Sequence, residues 1–227
     1  MRHVVSPSQL GWLLTDCERC FVREARFGVR RPGGPPDAFS AADKAMKSYF
    51  ERGVGEVVHE LGVGPPLTIV AQNLFTESSP LAYDDIDVEL VVRGRLDALV
   101  RTADGRVLIV DYKTKVRDVP IDATYAPQLQ AYALGLEHPV HGVQPHAIDG
   151  LALLVYNAAR FAFRPESATS GLFGVTDWVE VERDDAAFHA LLRRVATLLA
   201  GAEPRPNAKC AWCRFYGAVP TGVGGAA

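Results

Sequence analysis

Between Val88 and Lys115 the chain reads VELVVRGRLDALVRTADGRVLIVDYKTK. Two apolar, β-branched runs flank an Asp104-Gly105 dipeptide, the pattern of two antiparallel strands joined by a tight turn. Side chains alternate faces along a strand, so a slip of one residue exchanges every contact such a hairpin makes. A two-residue loop at Asp104-Gly105 would set Asp97 against Tyr112, with its carboxylate on the wrong face. A three-residue loop, Ala103-Asp104-Gly105, with Gly105 in the left-handed conformation, sets Asp97 against Asp111.

The second register is the one that carries chemistry. Asp111 closes the apolar run Val107-Leu108-Ile109-Val110, and an unpaired carboxylate at the end of a buried strand is costly. Opposed Cβ atoms stand roughly 5 Å apart, and two carboxylates that close repel unless a proton or cation lies between them. Such oxygen ligands suit magnesium or manganese, and the Tyr112 carbonyl between Asp111 and Lys113 can add another. Lys113 can orient an attacking water or stabilise a phosphorane-like transition state. The competing reading is an acidic surface hairpin with an incidental Asp97–Lys113 pair.

Length and charge bound the rest. A chain of 227 residues, 48% hydrophobic and 22% charged, suits one globular domain. We expect that domain to span residues 1–216, with a catalytic core at about 84–160 and a flexible tail at 217–227. A net charge of −3 argues against a passive DNA coat, less against a nuclease whose site must itself be acidic. There is no signal-peptide h-region and no apolar run of membrane-spanning length, so a cytoplasmic protein without a membrane partner is expected.

Ser6-Pro7 starts a helix that is expected to continue through DCERCFVREARF, bearing Arg19, Arg23 and Arg26, with Arg30 and Arg31 beyond. Five arginines form either a solvated face or a phosphate-tracking edge. A second helix is expected from Ser40, a short strand over Leu67–Ala71, and a loop over SSPLAYDDID. After the hairpin, PQLQAYALGLEH reads as a helix with Gln128 and Tyr132 four residues apart on one face. GLALLVYN reads as a doubly buried strand, 164–175 as loop, and WVEVE as an edge strand. Asp184 or Asp185 caps a long helix that Gly201 stops. Helices, then strands, then a helix and a strand around one core make an α/β protein with a mixed sheet.

The four cysteines fall in two CxxC pairs, Cys17/Cys20 and Cys210/Cys213. Together they make a four-thiolate metal site if the termini meet, stapling N- and C-terminal helices; spacing alone leaves zinc and iron–sulfur open.

GRLDALV, then DYKTK, then QLQAY resembles the PD-(D/E)XK nuclease superfamily in its RecB-type branch, whose pattern is G-x-x-D, D-x-K and Q-x-x-x-Y. Asp97, Asp111, Lys113, Gln128 and Tyr132 match it over roughly Gly94–Leu136. The resemblance implies a restriction-endonuclease-like fold and a Mg²⁺- or Mn²⁺-dependent DNA nuclease of repair, recombination or defence. Its substrate would be single-stranded or ended duplex DNA. Any helicase partner would be on a separate chain, since no helicase motif is present. The branch often takes a third metal ligand from an earlier helix, for which His59 is the candidate and Glu51 its rival. SPSQLGWLLTDCERCFVRE is similar to the start of iron–sulfur RecB-type nucleases, including CRISPR adaptation and AddB-type domains. Those imply a structural 4Fe–4S cluster, but with cysteines split one plus three. The two-plus-two split here keeps zinc as the alternative. A DNA- or protein-binding module without turnover is the alternative function.

Overall fold

In the computed structural model, residues 1–29, 37–51, 64–115 and 121–218 are described. Seven strands form one mixed sheet: β1 (Arg2–Val5), β2 (Leu67–Glu77), β3 (Leu81–Tyr83), β4 (Ile86–Thr102), β5 (Val107–Lys115), β6 (Gly150–Arg164) and β7 (Thr169–Val181). The helices are α1 (Pro7–Thr15), α2 (Glu18–Phe27), α3 (Asp37–Glu51), α4 (Ile121–Glu137), α5 (Asp185–Ala200) and α6 (Ala211–Ala218). The expected α/β architecture with a mixed sheet flanked by helices is what the chain adopts.

The spine is β4. Its first half pairs with β1 in parallel and with β3; its second half lies antiparallel between β2 and β5. β5 is parallel to β6, and α4 is the crossover between them, so the sheet is mixed at its centre. Leu96, Leu99 and Ile109 pack beneath Leu129, Ala133 and Leu136 of α4. On the opposite face Phe50 of α3 packs with Ala98, Val100, Val110 and Tyr112. Leu96 and Leu99 are three residues apart yet share a cluster, so the two-residue alternation slips between them, at Asp97.

The hairpin turn has the three-residue form. Val100 pairs with Leu108 and Arg101 with Val107, the Thr102 N–H donates to the Arg106 carbonyl, and Gly105 lies at φ 90°. Backbone pairing of β4 and β5 stops at Ala98–Val110, one step before the aspartates.

Several elements differ from the sequence reading. The N-terminal helix is two helices, broken at Cys17, which adopts an extended backbone as the N-cap of α2. α4 begins before Pro127 and carries that proline inside it. β2 extends to Glu77, and the expected loop before the hairpin holds β3. The expected loop at 164–175 belongs largely to a long β6–β7 hairpin. Its glycines had suggested a loop, but Gly174 sits where the register shifts: a Cβ there would lie 2.0 Å from the Asn157 carbonyl oxygen. The edge strand over WVEVE and the Asp184 cap of α5, which accepts from the Ala187 N–H, are as expected.

The N-terminal arginines are structural where they are described. Arg26 donates to the Leu198 and Leu199 carbonyls, capping the last turn of α5. Arg19 pairs with Glu203, and Arg23 stacks over the Tyr216 ring. Arg30 and Arg31 lie outside the described residues, as does most of the expected tail. Among the described residues no helix is long and apolar enough to cross a membrane.

Gly94 joins the fold to the site. A Cβ at this position would stand 2.6 Å and 2.7 Å from the ring carbons of Pro7 and 3.2 Å from the Tyr132 ring. Neither rigid ring can yield without moving α1 or α4. Gly94→Ala is therefore expected to cost about 2 kcal/mol, read as a melting temperature lower by roughly 4–8 °C.

Candidate active site

At the end of the paired part of the β4–β5 hairpin, a cavity of about 460 Å³ opens between α3 and α4. Asp97, Asp111, Lys113, Gln128 and Tyr132 all line it. Asp97 replaces a ladder bond with a side-chain one: its Oδ2 accepts from the Tyr112 N–H at 2.8 Å. That contact fixes the carboxylate where the strands stop pairing. Its Oδ1 meets Lys47 Nζ at 2.9 Å.

Asp111 is only 2% exposed. Lys113, two residues on, forms an ion pair with its Oδ2, and Gln128 Nε2 donates to its Oδ1 at 3.2 Å. The same Nε2 lies 3.1 Å from the Tyr132 hydroxyl. The i, i+4 spacing on α4 thus makes one polar face that holds Asp111 in place. Lys113 is also steadied by the Tyr125 ring, 4.5 Å from its Nζ.

Burial raises the Asp111 carboxyl to a pKa of about 6; Lys113 opposes the rise and Asp97 adds to it. Burial also pushes the Tyr112 and Tyr132 phenols up. For Lys47 burial works against the ammonium, but Asp97 and Asp43 outweigh it and hold its pKa above the ordinary value. Two carboxylates in one cavity, each already held by an ammonium, offer oxygen ligands of the type that could accept a hard cation.

Tyr112 turns its ring onto Phe50, centroids 5.0 Å apart. His59 lies outside the described residues, and so does the side chain of Glu51, the last residue of α3. Asp43 and Lys47 were missed in the sequence. Lys47 bridges Asp43, at 3.1 Å, to Asp97. Their only signal was an i, i+4 charge pair on the helix that also carries Met46 and Phe50.

Where α2 meets α6 the four cysteines converge, and their sulfurs all lie within 4.8 Å of one another. This group could hold a metal.

A family model described as the PD-(D/E)XK nuclease superfamily matches residues 40–217, more than half of the chain. The chain belongs to the PD-(D/E)XK nuclease superfamily. Membership points to nuclease activity and to the divalent metals such nucleases use. No curated protein matches the chain. Among solved structures it is similar to the crystal structure of SSO0001, with a TM-score of 0.53 and 15% identity over 96% of this chain and 85% of that one. At that identity the likeness speaks for the fold alone.

Proposed function

We propose that this PD-(D/E)XK protein is a Mg²⁺- or Mn²⁺-dependent deoxyribonuclease of the RecB-type branch. In this reading it works in the cytoplasm in DNA repair, recombination or defence, on single-stranded or ended duplex DNA. The observation that carries the reading is the convergence of Asp97, Asp111 and Lys113 on one cavity, with Asp111 held by Gln128.

Asp97 and Asp111 are the protein's two metal-binding carboxylates, with the Tyr112 carbonyl and either His59 or Glu51 completing the set. A bound divalent ion would supply Lewis-acid polarisation of the scissile phosphate and a water of lowered pKa. The chain's own residues do the positioning. Gln128 and Tyr132 fix the orientation of Asp111 and line the approach for phosphate. Lys113, which pairs with Asp111 in this structure, would place its charge beside the developing phosphorane. Lys113→Ala is expected to slow Mn²⁺-supported cleavage of a labelled oligonucleotide about 10²–10³-fold, with divalent affinity changed only a few-fold. Cleavage at the parent rate would remove Lys113 from the mechanism.

One observation favours a second reading, a DNA- or protein-binding module without turnover on the same scaffold. Lys47 neutralises Asp97 at 2.9 Å, so the acidic pair is balanced with no divalent ion. Calorimetric titration of Mn²⁺ separates the two. The nuclease binds it and Asp97→Asn does not, whereas a module without turnover shows no heat in either protein.

A further inference from the structure

We propose that the four cysteines hold a single zinc ion in a closed tetrahedral thiolate site, and not the 4Fe–4S cluster that the sequence resemblance implies. The sulfur positions carry this. Cys17 Sγ lies 3.6 Å from Cys213 Sγ, and Cys20 Sγ lies 3.7 Å from Cys210 Sγ and 3.9 Å from Cys213 Sγ. With Zn–S bonds of about 2.3 Å, the edge of a regular tetrahedron of sulfurs is about 3.8 Å. All four sulfurs lie within 4.8 Å of one another, so only a small inward shift of the widest pair closes them on one ion. A cubane is different. Its four thiolates bind four separate irons with the body of the cluster between them, and the sulfurs stand on the order of 6 Å apart. The sulfurs converge well inside that spacing, and Cys17, Cys20 and Cys213 are buried and packed against Cys210 and Trp212.

The surroundings match a closed ion site. Cys17 is the N-cap of α2 and Cys20 lies in its first turn; Cys210 directly precedes α6 and Cys213 lies in its first turn. Each pair therefore straddles a helix N-terminus, whose partial positive charge favours thiolates. The Cys20 N–H hydrogen-bonds the Cys17 sulfur, and the Trp212 and Cys213 N–H groups hydrogen-bond that of Cys210. Arg19, anchored by Glu203 at 2.6 Å, reaches the Cys213 sulfur. Four thiolates on one divalent ion leave a net negative charge, and these donors and the guanidinium offset it. The site has no open coordination position, so its role is to join α2 to α6 without redox chemistry.

The test is the metal and sulfide content of the full-length protein purified anaerobically. One zinc per chain, no acid-labile sulfide and no absorption near about 400 nm are expected, and Co²⁺ substituted for zinc should give the visible bands of a tetrahedral tetrathiolate. Cys213→Ser should lose the ion. Cys210→His, at the least buried ligand, should retain zinc, which separates a ligand defect from misfolding. Four irons with four labile sulfides per parent chain would overturn the proposal, as would a parent chain without metal. Because Asp111→Asn should keep its zinc, this result is independent of whether the chain cleaves DNA.

Discussion

Asp111→Asn is expected to lower Mn²⁺-dependent cleavage at least about a thousandfold and, without added divalent metal, to make the protein more stable at pH 8. The two effects have one cause. Asp111 is almost wholly buried at the end of β5, and burial holds its carboxyl at a pKa of about 6, above the unfolded value near 4. A folded-state pKa raised in this way makes the folded chain bind the proton more tightly than the unfolded chain. Stability from the group is fully present below the unfolded pKa and is lost as pH rises through about 6. The ionised carboxylate then costs up to about 3 kcal/mol at pH 8, at about 1.4 kcal/mol for each of roughly two units. Asparagine removes most of that cost and forfeits the ion pair with Lys113, so a net gain of about 1–2 kcal/mol is expected. Thermal melts at pH 5 and pH 8 check it: the parent should lose more stability between them than the variant. A variant less stable than the parent at pH 8 would contradict the burial argument. The same proton competes with a metal, so Mn²⁺ affinity of the parent should weaken about tenfold per unit below pH 6.

Cys20→Ser carries the second large effect. Cys20 Sγ lies 3.7 Å from Cys210 Sγ and 3.9 Å from Cys213 Sγ, and is buried. Without its thiolate, the metal centre proposed to join α2 to α6 would be lost. Closing so long a loop through a metal is worth several kcal/mol, and a fall in melting temperature of about 10 °C or more is expected. The site should feel it. α2 leads back through α1 to Pro7, which rests on Gly94, and Ser8 lines the cavity. Cleavage is therefore expected to fall as α1 loosens, with faster proteolysis near both termini. A melting temperature within about 2 °C of the parent would show that packing of α1 on α4 and of α2 on α5 suffices alone.

Much of this geometry was legible in the sequence because it rests on short-range rules. Parity along β4 and β5 leaves two registers, and the chemistry of opposed aspartates selects the three-residue turn that forms. The i, i+4 spacing is enough to put Gln128 beside Tyr132. Two CxxC pairs are enough to suggest that the termini meet. What was illegible depends on contacts distant in the chain. The slip in alternation at Asp97 follows from the Tyr112 N–H bonding its carboxylate in place of a backbone partner. Lys47 reaches Asp97 only because α3 is packed through Phe50 on Tyr112. Gly174 resembles loop punctuation until the Asn157 carbonyl is set against it. Tertiary contact decided each of these, and local propensity opposed two of them.

The most direct measurement is cleavage of labelled single- and double-stranded DNA by the parent with and without Mn²⁺, beside Asp111→Asn purified in the same way. Cleavage that requires the metal in the parent and is lost in the variant is the expected result. Equal cutting by both proteins, or none by the parent at any Mn²⁺ concentration, would contradict the assignment of Asp97, Asp111 and Lys113 as a nuclease site.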